Sequence, residues 1–502
     1  MCGEGFKSKH PHQPQKGTNV IMYLINDLEP KRMFNYFEDI SRIPRGSGNE
    51  AAIADFICDF ANKKGLFCLR DAVNNVFIRK EATKGYENVP AVMLQGHTDM
   101  VCEKNADTVH DFENDPLKLA VKDGWLYAEG TTLGGDDGAA VAAMLAFLED
   151  DTLPHPTLEC LFTSGEETSL VGANAFDYSV VTARRIINLD TELEGEAICS
   201  CAGSADVVLS VETDRTPIPY RALKITVKGL AGGHSGADIH LGRTSAIRVM
   251  GRALAAVYDE NPFRLVSIEG GNKPNAIPRE CVAEIVTNDT EGVKATLARV
   301  EKEIKAALIP DDKRFCIRVE KGVTEGTMIS FKQTSAAINC MTLTHNGVYA
   351  FMQDSSGFVR TSASMGIVRT EEDKINFSIM ARSSNDGEMS ALLLTYKNLA
   401  KAIGAEFAIH GRSSGWDFDP SSRLAKDFVR IYKELFGENS DPKVNPIHAG
   451  LECGIIVSTL GEGCDALSIG PTIVDIHTPD ERLDLASCEK FWKLLCAMVA
   501  AK

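Results

Sequence analysis

The sequence Ala-Val-Met-Leu-Gln-Gly-His-Thr-Asp at residues 91–99 joins a short apolar run to a polar end that carries a histidine and an aspartate. An apolar run of this length, bounded by polar residues, is typical of a strand that is buried on both faces of a parallel sheet. Similar runs at 158–163 and 185–189 also end in polar residues. Ligands of open α/β sheets collect beyond the carboxyl ends of such strands, so we expect a functional site at this edge.

Helix-like segments alternate with these runs in the first 200 residues, and this alternation predicts an α/β domain with a mostly parallel sheet. Longer alternating strands, such as 223–228 and 374–381, follow from about residue 204 and are interleaved with helices, which indicates an α+β domain. The α/β pattern returns after about residue 411. The predicted organisation is a mobile N-terminal extension at 1–18, a catalytic domain formed by two segments at 19–204 and 412–502, and an inserted α+β domain at 205–411 between them.

The charge of the chain and its apolar runs exclude several classes of protein. The formal net charge of −17 repels phosphate backbones and anionic membranes, so we expect neither a nucleic-acid partner nor a membrane partner. The longest apolar run, 139–148, is too short to cross a bilayer, and the first residues lack the apolar core of a signal peptide. The 14 cysteines are scattered without paired spacing, which favours reduced thiols and a cytoplasmic protein.

Five short segments carry acidic residues or histidines in patterns that suit metal binding. They are QGHTDM at 95–100, GTTLGGDDG at 130–138, SGEET at 164–168, NLDTE at 188–192 and IHTPDE at 476–481. The spacing of Asp99 two residues after His97 predicts that this carboxylate fixes the imidazole tautomer. Each segment alone is more typical of solvated charge or of a surface histidine. Together they offer mixed nitrogen and oxygen ligands that suit zinc, cobalt or manganese.

The order of these motifs resembles that of the aminoacyl-histidine dipeptidases (Xaa-His or cytosolic non-specific dipeptidases) in the di-zinc metallopeptidase family of carnosinases and aminoacylases. The resemblance runs from about residue 30 to the C-terminus and includes GGHSG at 232–236, IHAGLECG at 447–454 and SIGPT at 468–472. It implies an α/β di-zinc peptidase domain that is interrupted by an α+β lid and dimerisation domain. It also implies a homodimer, dipeptide substrates and two divalent metal ions, zinc in the first place and cobalt or manganese as alternatives.

Carried over position by position, the resemblance implies a role for each functional residue of the family. The implied metal ligands are His97 and Asp190 on one ion, Glu167 and His477 on the other, and Asp136 bridging both. The implied catalytic residues are Glu166 as the general base, Asp99 as the residue that orients His97, and His234 as an oxyanion donor from the inserted domain. The implied substrate-binding residues are Asn275, Arg382, His448, Gly450 and Glu452. A cis peptide bond between Asp136 and Asp137 is implied as well.

The sequence departs from the expected family pattern at a few positions. These are Gly135, Asp137, the pair at 164–165 and Ser364. None of them removes an implied metal ligand. Ser364 stands where we expect an asparagine, and this exchange affects one polar contact with the substrate and therefore the specificity.

The expected function is the hydrolysis of dipeptides, Xaa-His and related, by a water that two metal ions activate and that Glu166 deprotonates. A di-zinc N-acyl-amino-acid deacylase or a carboxypeptidase of the same fold is the alternative, because only the family-like loops separate these activities. A thiol hydrolase is not supported, and the pair Cys199 and Cys201 has no second cysteine pair at metal-binding spacing. A binding module without catalysis is disfavoured because all implied ligands and the general base are present.

Overall fold

The structure is a computed structural model that describes residues 23–25, 27–352 and 357–502. The N-terminal extension predicted at 1–18 lies outside these residues. The helices and strands of the first 200 residues are α1 (Lys31–Ile40), α2 (Ala51–Lys64), β1 (Phe67–Arg70), β2 (Val76–Lys80), β3 (Val92–His97), β4 (Leu119–Lys122), β5 (Trp125–Ala128), α3 (Gly135–Glu149), β6 (Leu158–Thr163), α4 (Glu166–Ser169), α5 (Val171–Ala175), β7 (Arg185–Asn188) and β8 (Glu196–Cys201).

Longer strands and four helices follow in the middle of the chain. They are β9 (Gly203–Glu212), β10 (Arg215–Pro217), β11 (Leu223–Lys228), β12 (Gly233–His234), α6 (Ala246–Glu260), β13 (Arg264–Gly270), β14 (Ala276–Ile277), β15 (Cys281–Val286), α7 (Thr290–Lys305), β16 (Cys316–Lys321), β17 (Thr327–Ile329), α8 (Phe331–Leu343), β18 (Gly347–Phe351), β19 (Val359–Thr370), β20 (Lys374–Ser383), α9 (Asp386–Ile403) and β21 (Glu406–Arg412). The C-terminal segment contains α10 (Arg423–Phe436), β22 (Lys443–Ile447), α11 (Glu452–Leu460), β23 (Asp465–Ile469), β24 (Ile473–Val474), β25 (Arg482–Asp484) and α12 (Leu485–Ala500).

The first sheet has eight strands in the order β1-β2-β6-β3-β7-β23-β8-β22. Its centre, β6-β3-β7-β23, is parallel, and β22 is parallel to β8, whereas β1, β2 and the β23–β8 pair run antiparallel. This sheet confirms the predicted α/β domain with a mostly parallel sheet. Strand β23 comes from the C-terminal segment but lies beside β7, so both ends of the chain contribute to one domain.

Helix α3 is buried along nearly its whole length, from residue 135 to 148. Its sequence is apolar on every face, and a helix of that kind is stable only where protein surrounds it on all sides. It packs against α1 and against β3. The N-terminus of α3 therefore has a fixed position relative to the carboxyl end of β3.

The second sheet is antiparallel, in the order β16-β11-β15-β13-β19-β20-β9-β21, with β18 paired to β19. Burial alternates along β9 and β20, as expected for strands with one face against a core. Helices α6, α7, α8 and α9 contribute to the apolar core of this sheet, which is separate from the core of the first sheet. This arrangement confirms the inserted α+β domain.

The elements of the second sheet begin at residue 203 and end at residue 412, and the exact boundaries 204/205 and 411/412 stay predictions. The strand expected at 158–163 is confirmed to the residue. The sequence predicts a helix over 293–309, whereas α7 runs over Thr290–Lys305. Its start lies earlier because the side chain of Asp289 accepts the N–H of Gly292. Within the described ranges, no helix combines the length and the apolar composition that crossing a bilayer requires.

Candidate metal centre

Three neighbouring strands of the first sheet bring candidate ligands to one edge. His97 is the last residue of β3, Glu167 lies just after β6, and Asp190 lies just after β7. The register pairs His97 with Thr163 and Gln95 with Asn188. The carboxyl ends of the three strands are therefore nearly aligned at one edge of the sheet. The carboxyl-terminal edge of the sheet is where the sequence pattern predicted a functional site.

Asp136 lies at the centre of the cluster and directs its two oxygens to different histidines. Oδ1 lies 3.0 Å from Nε2 of His97, and Oδ2 lies 3.3 Å from Nε2 of His477. Nε2 of His477 is also 2.9 Å from Oε1 of Glu167, and Nε2 of His97 is 3.7 Å from Oδ1 of Asp190. The structure therefore brings together all five residues that were expected to bind metal.

A sixth acidic residue, Asp137, belongs to the same cluster. Two sets of three residues could each hold a metal ion, because the ligand atoms within each set lie within 4.8 Å of one another. One set is His97, Asp136 and Glu167, and the other is His97, Asp137 and Asp190. Asp137 also accepts the backbone N–H of His97 at 3.3 Å. The peptide bond between Asp136 and Asp137 is cis, as the family resemblance predicted. Asp137 was not among the metal ligands that the family resemblance implied.

The carboxylates of this cluster lie close together and have little exposure to solvent, and this environment shifts the pKa values of the cluster. Burial and the charges of Asp137 and Asp136 raise the pKa of Asp190 well above its usual range. Hydrogen bonds to Asp136 and Glu167 raise the pKa of His477 to about 10. Like charges held this close need a counter-charge to stay ionised. Nitrogen and oxygen donors with an excess of negative charge fit divalent ions such as zinc, cobalt or manganese.

Asp99 connects His97 to the segment that follows β6. Its Oδ1 lies 3.4 Å from Nδ1 of His97 and accepts the backbone N–H of Glu166 at 3.0 Å. Its Oδ2 accepts the hydroxyl of Ser47 at 2.8 Å and the N–H of Glu167 at 3.3 Å. One carboxylate thus lies beside the imidazole and fixes the start of α4 through two backbone N–H groups, while Nδ1 of His97 lies 3.1 Å from the backbone carbonyl oxygen of Asp99. Ser47 was not found by sequence reasoning, because nothing in its local sequence indicates its partner.

A second group of residues, which we call the basic cluster, consists of His234, Arg382 and His448. His448 is half-buried, and Nε2 of its ring lies 2.7 Å from the hydroxyl of Ser362. Burial and the neighbouring Arg382 and His234 lower the pKa of His448 to about 3. In the described part of the chain, no hydrogen bond or ion pair joins the basic cluster to the metal cluster. The structure thus brings three predicted residues together.

The remaining predicted substrate-binding residues differ in exposure. The side chain of Asn275 is exposed, while its carbonyl accepts the N–H of Ser235 at 2.9 Å. Gly450 is exposed as well. Glu452 is fully buried at the start of α11, and its Oε2 accepts hydrogen bonds from Gln95 and Thr163 on the strands beneath the metal cluster.

Two buried charged residues beside the loop of Asp136 escaped sequence reasoning. Arg45 and Glu481 are each 2% exposed and bind backbone groups of this loop. Their partners are main-chain atoms that are distant in sequence, so no spacing pattern connects them. The only local signal is the position of Glu481 shortly after His477.

Comparisons with known proteins agree with this picture. Residues 93–501 match the model of Peptidase family M20/M25/M40. The chain is 36% identical over 479 residues to the cytosol non-specific dipeptidase of Escherichia coli strain K12, and the alignment covers 95% of this chain and 98% of that protein.

Solved structures show the same likeness. The crystal structure of aminoacylhistidine dipeptidase from Vibrio alginolyticus has a TM-score of 0.87 and 34% identity, over 94% of this chain and 97% of that one. The aminopeptidase PepT from Bacillus cereus has a TM-score of 0.54 at 18% identity, over 94% of this chain and 98% of that one, which shows a shared fold alone.

Proposed function

Because this chain belongs to Peptidase family M20/M25/M40, we propose that it is a metallo-dipeptidase that hydrolyses dipeptides, Xaa-His dipeptides among them. The relatives that align over nearly the whole chain support this proposal, since one is named as a non-specific dipeptidase and the other as an aminoacylhistidine dipeptidase. The name of the Escherichia coli relative also supports a location in the cytosol.

The proposed metal ligands are the five residues of the central cluster. His97 and Asp190 would hold one divalent ion, Glu167 and His477 the other, and Asp136 would bridge them because it directs one oxygen to each histidine. Zinc is the ion we propose, with cobalt or manganese as alternatives. Bound there, two divalent ions would polarise the scissile carbonyl and lower the pKa of a water to near neutrality.

Glu166 is the proposed general base. Its backbone N–H is bound to Asp99, which fixes the position of the residue at the start of α4. Burial, together with the nearby charges of Glu452 and Glu167, raises the pKa of Glu166 to about 8. A carboxylate whose pKa lies near the working pH can accept a proton from the attacking water and then return it to the leaving amine.

We propose that the substrate is small and carries a free carboxylate, because the guanidinium of Arg382 is buried without a counter-charge in the part of the chain that the structure describes. Arg382 is only 7% exposed, and no carboxylate among the described residues forms an ion pair with it. Its Nε is buried without a hydrogen-bond partner, and burial lowers its pKa to about 10. A buried cation without a counter-charge is costly. The terminal carboxylate of a dipeptide would supply that charge in a bidentate pair.

His234 is the proposed donor to the oxyanion. Its Nδ1 accepts the backbone N–H of Ala237 at 2.9 Å, so the neutral ring carries its proton on Nε2. Burial and the adjacent Arg382 lower the pKa of His234, which favours this neutral form. The Nε2–H group would donate to the oxyanion after the inserted domain closes over the metal cluster, and such closure also excludes water.

We also propose a homodimer formed through the inserted domain. Strand β21 is the last strand of the second sheet and pairs only with β9 among the described residues. The free backbone groups of an edge strand can pair with another chain.

The test of the proposed function is a metal analysis combined with a substrate panel. Purified protein should contain two divalent ions per chain and should cleave dipeptides faster than tripeptides or N-acetyl amino acids. A preference for N-acetyl amino acids would favour the deacylase alternative. Protein that binds no divalent ion and is unaffected by chelators would refute the proposal.

A further inference from the structure

Four consecutive backbone N–H groups, from residue 133 to residue 136, donate to the single carboxylate of Glu481. Oε2 accepts the N–H groups of Leu133 at 2.8 Å and Gly134 at 3.0 Å. Oε1 accepts those of Gly135 at 2.7 Å and Asp136 at 3.3 Å. Hydrogen bonds to an ionised acceptor are roughly twice as strong as neutral ones, so a carboxylate with four N–H donors holds this loop firmly.

Arg45 holds the same loop from its other side. Its Nη2 donates to the carbonyl of Gly134 at 2.5 Å, and its Nη1 donates to the carbonyl of Thr98 at 3.0 Å. Gly134 has a φ of 64°, and a Cβ atom at this position would lie 2.6 Å from Nη2 of Arg45. A side chain at residue 134 would therefore displace the guanidinium. The loop is held through its N–H groups by Glu481 and through a carbonyl by Arg45.

We propose that Glu481 is a positioning residue that holds Asp136 between the two halves of the metal centre and ties it to His477. Asp136 is the last of the four N–H donors, and His477 lies in the same loop as Glu481. One side chain therefore sets the separation of two ligands that are distant in sequence. This inference rests on the proposed function, because it takes Asp136 and His477 as metal ligands.

Glu159 provides a matched control for a role in folding alone. It is fully buried like Glu481, and it accepts the backbone N–H groups of Thr182 and Ala183 at 3.0 Å each. It lies near the start of β6, at the opposite end of that strand from the metal cluster. Glu159 also forms an ion pair with Arg79 at 3.0 Å. Glu159→Gln therefore alters a buried carboxylate that binds backbone N–H groups without touching the loops of Asp136 or His477.

The experiment compares Glu481→Gln and Glu159→Gln with the parent by calorimetric titration of the metal-free proteins with Mn²⁺ and by the EPR signal of the manganese pair. The parent should bind two ions. Glu481→Gln should bind the second ion at least about tenfold more weakly and lose the coupled EPR signal, whereas Glu159→Gln should lower only the melting temperature. Parental affinities and coupling in Glu481→Gln would overturn the proposal, as would an equal loss of metal binding in Glu159→Gln.

A measurement on the unaltered protein covers the case in which Glu481→Gln does not fold. In the metal-free parent, the amides at 133–136 should exchange with deuterium at least about a hundredfold more slowly than freely exposed amides, because Glu481 holds them without metal. Rapid exchange at these four amides would overturn the proposal. A parent that binds no divalent ion would instead refute the proposed function, and the two failures are therefore distinguishable.

Discussion

The hydroxyl oxygen of Ser362 lies 2.7 Å from Nε2 of His448, and this hydrogen bond joins the second sheet to the loop that precedes α11. Ser362 is fully buried on β19, and its backbone pairs with that of Arg382 on β20. The bond therefore fixes the imidazole beside the guanidinium that we propose as the carboxylate site.

Replacing Ser362 tests this connection. Ser362→Ala should raise KM for dipeptides by about three- to tenfold and change kcat little, because one hydrogen bond of about 1 kcal/mol is lost. Ser210→Ala is the matched control, since it removes a hydrogen bond of 2.7 Å to Asn376 on the same sheet. The measurement is KM and kcat of both variants with a single dipeptide. Equal effects of the two variants would argue against a role of the Ser362–His448 hydrogen bond in substrate binding.

Glu166→Gln should keep two metal ions while kcat falls by roughly 10² or more, because the general base is removed and the ligands are not. Glu167→Gln should instead lose metal, since Glu167 is a proposed ligand. Metal analysis beside kcat separates the two outcomes. Near-normal turnover in Glu166→Gln would place the base elsewhere.

Arg382→Met should lower kcat/KM for dipeptides by about 10² to 10³, as expected when one partner of a buried charge pair is removed. Dipeptide amides, which lack the negative charge, should be affected less than about threefold. The measurement is the ratio of kcat/KM for the dipeptide to kcat/KM for its amide, determined for the parent and for Arg382→Met. An equal loss for both substrates would mean that Arg382 does not bind the carboxylate.

His234→Ala should lower kcat by about 10² to 10³ and leave the metal content unchanged, which is the usual effect of removing one oxyanion donor. His240, an exposed histidine of the same region, provides the control variant His240→Ala. Full activity of His234→Ala would reject the proposed role.

The stability of the metal-free protein should fall in acid because of His448. Its pKa is about 3 in the folded chain, below its ordinary value of 6.5, so unfolding takes up a proton between these two pH values. The free energy of unfolding should therefore decrease with falling pH by up to about 1.4 kcal/mol per unit more in the parent than in His448→Asn. Denaturant unfolding at several values between about pH 6 and pH 4 gives both slopes, and parallel slopes would contradict the expectation.

Local sequence predicted the fold well where the pattern is strong. The buried strand β6 was predicted to the residue, because an apolar run between polar ends has few alternatives. The bounds of α7 were missed, since the cap formed by Asp289 starts the helix before its apolar stripe begins. The pairing of β23 with β7 joins two segments that lie on either side of the inserted domain in the chain, and no local pattern predicts it.

Sequence motifs predicted the residues of the candidate site whose side chains lie together. They did not predict the residues that bind backbone groups near the site. The five proposed ligands are polar residues in recognisable motifs, and the structure brings them together. Arg45 and Glu481 bind backbone carbonyl and N–H groups. Nearly every residue has such groups, so the sequence does not indicate which residues are the partners. The contact of Glu452 with substrate stays a prediction: its Oε2 accepts hydrogen bonds from Gln95 and Thr163, and its Oε1 is buried without a hydrogen-bond partner among the described residues.

The hydrogen bonds between Glu481 and the loop of Asp136 join segments that are about 345 residues apart in the chain. During synthesis on the ribosome, a chain that has grown only through the inserted domain already contains His97, Asp136 and Asp190, but it lacks His477 and Glu481. The carboxylate that we propose as the bridge, Asp136, is not yet held by Glu481 in such a nascent chain. We therefore expect the proposed dinuclear centre to assemble only after the C-terminal segment of the catalytic domain has been translated, and the growing polypeptide to lack hydrolase activity until then.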